Sequence, residues 1–328
     1  MSTIYQSLIP LMAKKSAITD PKKFQELVNV IFHDFEAAHY DDLHREMWES
    51  LPQQYELLAN DILACLPQGR ALKLLDIGCG TGLATELLLK TGVGAAVSEV
   101  HLLDTSVNML SEALKRSKGW KRKVKTIQGF VSDVEGPYDV IIISSVLHHI
   151  PDLVAFLAEV AAVQAPGGLL LTIHDPNSDS LDSADYLRRT SEYEGHKKEG
   201  VFSKAAFGKR VGHKLRRMLK IPTYIDRINK KLLAKDVITE SLDESELWSI
   251  TDIHVENLPY SAGRGIAKDL LVNSLEQYRL LSYRTYAFFG YLYSNLDETY
   301  KQKEIDLTKL NDLHGRNFCS AWIKHTAN

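Results

Sequence analysis

The chain has 328 residues, 45% apolar and 25% charged, with a formal net charge of −3. These proportions are ordinary for a soluble globular protein, and the near balance of charge gives no global attraction to nucleic acid. Cys65, Cys79 and Cys319 are scattered with neither disulfide nor metal-ligand spacing, which points to no metal and to a reduced, cytoplasmic setting; no apolar run reaches the roughly 18 residues that span a bilayer, and no basic-then-apolar leader opens the chain.

Pro21 stands at a first helical position. Phe24, Leu27, Val28, Ile31, Phe32 and Phe35 then recur at helical spacing, which predicts a helix over residues 21–37. A second helix carries Trp48, Leu51, Tyr55, Leu58 and Ile62. Residues 72–82, Leu-Lys-Leu-Leu-Asp-Ile-Gly-Cys-Gly-Thr-Gly, read as an apolar strand entering a glycine-rich turn, and Leu83–Lys90 as the helix that follows. Glycine lets such a turn bend sharply and approach a ligand closely, and the helix N-terminus offers unpaired N–H groups. A dinucleotide turn is spaced G-x-G-x-x-G. Here the third glycine comes one residue early, and Asp76 would repel a pyrophosphate; the pattern suits a cationic or zwitterionic ligand.

Ala95–Asp104 reads as a second strand ending in an acid, where a carboxylate can accept ribose hydroxyls, and Ser106 caps the next helix. Lys123–Gln128 is a third strand, followed by the loop Phe130–Val134. Tyr138–Ser145 is a fourth, apolar throughout as a strand covered on both faces must be. Pro151 starts a helix to about Gln164, Ala165-Pro-Gly-Gly168 stops it, and Leu169–Ile173 is a fifth strand ending in His174-Asp175-Pro176. Strand and helix alternate five times, which predicts a parallel sheet with right-handed crossovers. Residues 178–245 contain no strong strand. Between Lys204 and Lys235 lies a basic run whose Val211, Leu215, Met218 and Leu219 form an apolar stripe. It reads as a solvated helix face, a dock for an acidic carrier protein or anionic substrate, or a membrane or RNA patch. Ile250–Leu258 alternates and predicts strand six. The aromatic stretch from Ala267 to about Tyr300 predicts a helix, and Asn317–Lys324 the closing antiparallel strand.

The strand and turn Asp-Ile-Gly-Cys-Gly-Thr-Gly (76–82), Asp-Thr-Ser-Val-Asn-Met-Leu (104–110) and the passage through Pro166-Gly-Gly168 to strand five together resemble the class I S-adenosylmethionine-dependent methyltransferases of the small-molecule type. The resemblance covers residues 38–176 closely and the last strands loosely. It implies a doubly wound, seven-stranded, mostly parallel sheet with a mainly helical cap. The expected division is N-terminal helices over the cofactor site (1–60), a cofactor-binding core (61–176), a basic helical lid (177–249) and returning core strands with an aromatic-rich helical insertion (250–328).

It further implies S-adenosylmethionine as methyl donor and S-adenosylhomocysteine as product. The cofactor residues it points to are Asp76, Gly78, Cys79, Gly80 and Gly82 in the first turn, Asp104, Thr105 and Met109 after strand two, Asp133 and Val134 after strand three, Ser144, and Tyr40 as a lid. The expected acceptor is a small molecule, free or borne on an acidic carrier protein, methylated on oxygen, carbon or nitrogen. The alternatives are an RNA or protein methyltransferase or a non-catalytic cofactor-binding protein. Ser144-Ser-Val-Leu stands where amino-methylating nucleic-acid and protein enzymes carry Asn/Asp-Pro-Pro-aromatic, which disfavours nucleic acid. A base is needed only for a hydroxyl or a weakly acidic carbon. The candidates are His148, His149, His174 and Asp175, at the carboxyl ends of strands four and five. Adjacent strand residues point to opposite faces, so one of His174 and Asp175 faces the pocket if the strand continues there.

Overall fold

The computed structural model describes residues 3–67, 69–200, 223–261 and 263–326. Seven strands form one sheet: β1 Leu72–Ile77, β2 Val97–Asp104, β3 Lys123–Gln128, β4 Tyr138–Ser144, β5 Gln164–Pro176, β6 Tyr278–Tyr286 and β7 Asn317–Lys324. Their order is β3-β2-β1-β4-β5-β7-β6. The first five run parallel, and β7 lies antiparallel between β5 and β6. Strand order reverses between β1 and β4, and the crevice beyond the carboxyl ends of a doubly wound sheet lies at such a reversal.

Side-chain alternation splits the sheet into two cores. Leu74, Val100, Ile142 and Leu171 pack with Leu51, Tyr55 and Leu58 of the helix Arg45–Ile62. Leu75, Ile141, Ile143 and Leu170 pack on the other face with Leu157 and Val160 of the helix Leu153–Val163. β4 has no exposed face, so its apolar run is continuous.

A third core is separate. Leu8, Leu11, Phe24, Val28 and Phe32, from the helices Thr3–Lys15 and Pro21–Glu36, meet Ile228, Leu232, Leu247, Ile250 and Ile253. The latter come from the helices Tyr224–Ala234 and Glu244–Thr251 and the turn after them. The N-terminus and the insertion after β5 therefore build one helical cap. Lys15 pairs with Glu246 at 2.5 Å, and the Lys15 carbonyl accepts the Thr239 N–H at 2.8 Å.

Three sequence expectations need correction. Ile250–Leu258 is not a strand: Glu244–Thr251 is a helix, opened by a capping box in which Asp243 and Glu246 serve each other's backbone N–H. The alternation of Ile250 and Ile253 with polar residues arises because both apolar side chains enter the cap core. Nor is 267–300 one helix. Lys268–Ser274 is helical, but Tyr278–Tyr286 is β6, the sheet edge. A register shift between Leu280 and Ser282 puts the buried tyrosines at 278, 283 and 286, a spacing that mimics a helix; aromatic enrichment fits the strand. Ala165–Gly168 belongs to β5 rather than to a helix stop. Val211, Leu215, Met218 and Leu219 lie outside the described residues. Among the described residues no helix is long and apolar enough to cross a membrane.

Candidate functional site

A cavity of about 310 Å³ opens at the carboxyl ends of β1, β2 and β4. Its floor is the turn after β1. Gly78 and Gly80 have φ of +64° and +51°, which side chains other than glycine rarely adopt. A Cβ on Gly78 would sit 2.5 Å from Val146 Cγ2, whereas one on Gly80 would meet nothing within 4 Å. The Gly80 N–H donates to Asp104 Oδ2 at 2.9 Å, and the Ser106 N–H to Asp104 Oδ1 at 2.8 Å. The β2 carboxylate is thereby fixed against the β1 turn. Burial raises its pKa in spite of those two N–H bonds.

Asp104, Thr105, Met109, Gly78, Cys79, Gly80, Ser144 and Tyr40 all line this cavity, as does His149. The remaining expected residues lie off its wall. Asp76 is fully buried and accepts the Thr85 hydroxyl at 2.6 Å, while its Oδ1 has no hydrogen-bond partner among the described residues. Burial outweighs the Thr85 bond and pushes its pKa up to about 7. Gly82 packs on Trp120 and Ala113. Asp133 accepts the Phe130 N–H at 2.8 Å and so closes the loop that brings Phe130 and Val131 to the wall; Val134 is in the core beneath.

The cap supplies a wall that the sequence reading left out. Gln25, Asn29 and His33, spaced four apart on Pro21–Glu36, turn their common face to the cavity rather than to water. That spacing was available as a signal. Gln25 Nε2 donates to the His149 carbonyl at 3.0 Å, and Asp34 accepts the Ser106 hydroxyl at 3.0 Å. The lid segment is latched as well: Asp41 accepts the Thr81 hydroxyl at 2.8 Å and pairs with Arg116.

The seam between sheet and cap holds the acid–base groups. His174 has φ +67° and breaks the β5 register, so the alternation argument does not apply there. His174 Nδ1 pairs with the Tyr286 hydroxyl at 2.7 Å, and burial, then the charges of His148, Arg316 and His44, push its pKa down to about 3. Asp175 turns the other way. Its Oδ1 accepts both the His148 N–H at 3.1 Å and His148 Nδ1–H at 2.7 Å, and its Oδ2 has no partner among the described residues. The opposite ring nitrogen, His148 Nε2, lies 3.4 Å from Asp252 Oδ1 of the cap. Burial works against the imidazolium, but the bond to Asp175 and the charges of Asp175 and Asp252 prevail and raise the His148 pKa.

His149 donates Nδ1–H to the Thr251 carbonyl at 2.7 Å. Burial, then the charges of His148 and His33, hold its pKa well below the usual range. Of the four expected acid–base residues, His148, His149 and Asp175 thus converge at the seam, while His174 turns away to Tyr286. Asp252 is a member that the sequence did not announce.

A doubly wound sheet with this order, a glycine bend after β1 and a carboxylate at the end of β2 has the form of a nucleotide-cofactor-binding core. Residues 75–170 match the family model described as a methyltransferase domain, and this core belongs to the class I S-adenosylmethionine-dependent methyltransferases. Among curated relatives, a trans-aconitate 2-methyltransferase of Pseudomonas aeruginosa is 36% identical over 39% of this chain and 46% of its own. A highly reducing polyketide synthase of Aspergillus terreus is 28% identical over 55% of this chain and 7% of its own. The chain therefore spans at most about half the length of these relatives. Among solved structures, the plantazolicin methyltransferase BpumL in complex with SAH is 14% identical, with 93% of this chain and 98% of that one covered and a TM-score of 0.45.

The residues present fit the class cofactor. Gly80 leaves open space above the turn. The unpaired oxygen of Asp76 lies beside the same turn, and Asp104 and the apolar Met109, Phe130 and Val131 stand at the β2 and β3 ends.

Proposed function

We propose that the protein transfers a methyl group from S-adenosylmethionine to an oxygen or acidic carbon of a small-molecule acceptor seated at the sheet–cap seam. Asp104 would hold the ribose, the Gly78–Gly80 turn the amino-acid tail, and Met109, Phe130 and Val131 the base, with Tyr40 and His33 closing over them. When bound, the cofactor supplies an electrophilic methyl on a sulfonium. The donor is already activated, so the chain's tasks are to position the acceptor, exclude water and take its proton.

The observation that carries the reading is the His148–Asp175 pair, which abuts the cofactor cavity through His149. Asp175, fully buried, holds Nδ1–H and so leaves the lone pair on His148 Nε2. A proton leaving the acceptor goes to Nε2, and the imidazolium that forms is stabilised by the carboxylate behind it.

A second reading, that the acceptor arrives on an acidic carrier protein, draws on the exposed Arg227, Lys230, Lys231 and Lys235 in and just after the helix Tyr224–Ala234. Calorimetry tests the main proposal first: S-adenosylmethionine and S-adenosylhomocysteine should bind at about micromolar affinity and NAD not measurably. Labelled-methyl transfer to a small molecule from cell extract is the second arm. Tight NAD binding without a response to S-adenosylhomocysteine, or label appearing only in RNA or protein, overturns it.

A further inference from the structure

Among the described residues, Asp252 is the cap carboxylate that faces the base nitrogen, His148 Nε2, rather than its supporting side. It ends the helix Glu244–Thr251, where its backbone N–H donates to the Trp248 carbonyl at 2.8 Å and its Oδ2 accepts the Thr251 hydroxyl at 2.9 Å. Oδ1 is left for His148, and the side chain is only 15% exposed. Burial raises its pKa, and the His148 charge is the largest influence opposing that rise.

We propose that Asp252 is a specificity residue of the acceptor site: it gives up His148 Nε2 to the acceptor's acidic group and takes in exchange a hydrogen-bond donor carried by the acceptor itself. The inference rests on the methyl-transfer reading above. An acceptor that reached Nε2 without offering Asp252 a donor would leave Oδ1 of a mostly buried carboxylate without its partner, which is expensive. The substrate class is therefore a small molecule with a hydroxyl or amine beside the atom to be methylated.

Charge excludes the opposite class. The cavity wall carries Asp104, Glu26, Asp152 and Glu159 against Lys22, and Asp175 and Glu36 are buried nearby. A polyanion entering here meets like charge on most sides. The groups that bear on His148 are Asp175 and His174 from β5, Asp252 and His254 from the cap side, and His149 on its own turn. Asp252 belongs to the cap helix, so its exchange of partners also links acceptor entry to the seating of the cap.

The test uses the full chain with ¹³C-labelled histidine, the His148 resonance being assigned by its loss in His148→Gln. In the wild type its titration midpoint should lie above 6.5. Asp252→Asn and, as a second variant, Asp252→Ala should each lower it, since the Asp252 charge is one of the influences that raise it. Affinity for S-adenosylhomocysteine should stay within about twofold, since Asp252 is off the cofactor cradle. A midpoint that does not move in either variant overturns the proposal. So does uptake of one tight equivalent of Zn²⁺ that Asp252→Asn abolishes, because Asp252 would then be a metal ligand. With labelled donor, trans-aconitate serves as the polyanionic probe; no transfer is expected, and ready turnover overturns the substrate class. Wild-type protein that ignores S-adenosylhomocysteine while its His148 midpoint still depends on Asp252 would instead sink the methyltransferase reading alone.

Discussion

The sheet and the cap face each other across one cavity, and they place their functional groups in different ways. In the sheet, cavity residues sit at strand ends and in the turns just beyond them, held by backbone hydrogen bonds such as Gly80 N–H to Asp104. In the cap they sit along the flank of a helix, at Gln25, Asn29 and His33, and they stay in place only while Phe24, Val28 and Phe32 remain packed on the far side of the same helix. The sheet's geometry is therefore fixed by covalent proximity and strand pairing. The cap's is fixed by a small core drawn from segments far apart in sequence. The cofactor cradle should consequently survive damage that removes the cap, whereas acceptor chemistry at the seam, which takes His148 from one side and Asp252 from the other, should not.

The largest effect expected from that contrast is on chemistry alone. His148→Gln removes the proposed base but leaves the cradle, so methyl transfer should fall about 10²- to 10⁴-fold with S-adenosylhomocysteine affinity nearly unchanged. In the wild type, kcat/KM should rise with pH along a limb above 6.5, because the raised pKa must be exceeded before Nε2 can accept a proton. Equal loss of cofactor binding would mean that seam and cradle are not separable.

Next comes the cap core. Phe24 is fully buried, and Phe24→Ala should cost about 3–5 kcal/mol. If the cap is a distinct unit, hydrogen exchange will accelerate in residues 3–36 and 223–253 while β1, β4 and β5 remain protected. A uniform acceleration would show that cap and sheet unfold as one. Asp104→Ala probes the other side of the comparison: it should lower cofactor affinity by roughly 1–3 kcal/mol, read by calorimetry, without loosening the cap.

These differences also explain what the sequence disclosed. The core from Leu72 to Pro176 was legible because each element carries its own local signal: apolar strands, a glycine turn, the Ser106 cap, a helix that starts soon after Pro151. The cap was only half legible. The helix Pro21–Glu36 announced itself by spacing, but its partners Ile228, Leu247 and Ile253 lie some two hundred residues away, and no local pattern pairs them. Asp252 was invisible for the same reason, since its role comes from His148 across the seam. The β6 tyrosines misled because a register shift gave a strand the spacing of a helix. His174 and Asp175 could not be separated in advance, because the positive φ at His174 breaks the alternation that the argument needed.

A smaller effect concerns the pH dependence of the cradle itself. Asp76 has a folded pKa of about 7, raised mainly by burial, against an unfolded value of about 3.9. Between those values the folded chain binds more protons than the unfolded one, so this group's contribution to stability falls as pH rises through that window. Glu304, also raised to about 7 by burial, acts in the same sense far from the cavity. Asp76→Asn should therefore remove only part of the slope, roughly 1–2 kcal/mol between pH 5 and 7 by urea denaturation. Cofactor binding should shrink the contrast, since a cationic tail near the unpaired Oδ1 favours the carboxylate and brings the folded pKa back towards the unfolded one. An unaltered slope in Asp76→Asn would mean that this carboxyl is solvated and is not part of the cradle.

The smallest effect tests how firmly the two regions are fastened. Asp41, on the lid segment, accepts the Thr81 hydroxyl and pairs with Arg116, whose Nε donates to the Thr81 carbonyl at 2.6 Å. Arg116 is mostly covered, beneath Trp48, but Asp41 is 41% exposed. Solvent screening therefore limits the pair to about 0.5–1 kcal/mol. The latch joins the lid to the cofactor turn itself, so Asp41→Asn should appear less in global stability than in kinetics. S-adenosylhomocysteine should dissociate a few-fold faster by stopped flow, and the increase should shrink at high salt, as an ion pair requires. A dissociation rate indifferent to both the substitution and the salt would place the fastening at the other tie, Asp34 on Ser106 and Asn108. The cap helix, rather than the lid turn, would then be the part that holds the cofactor in.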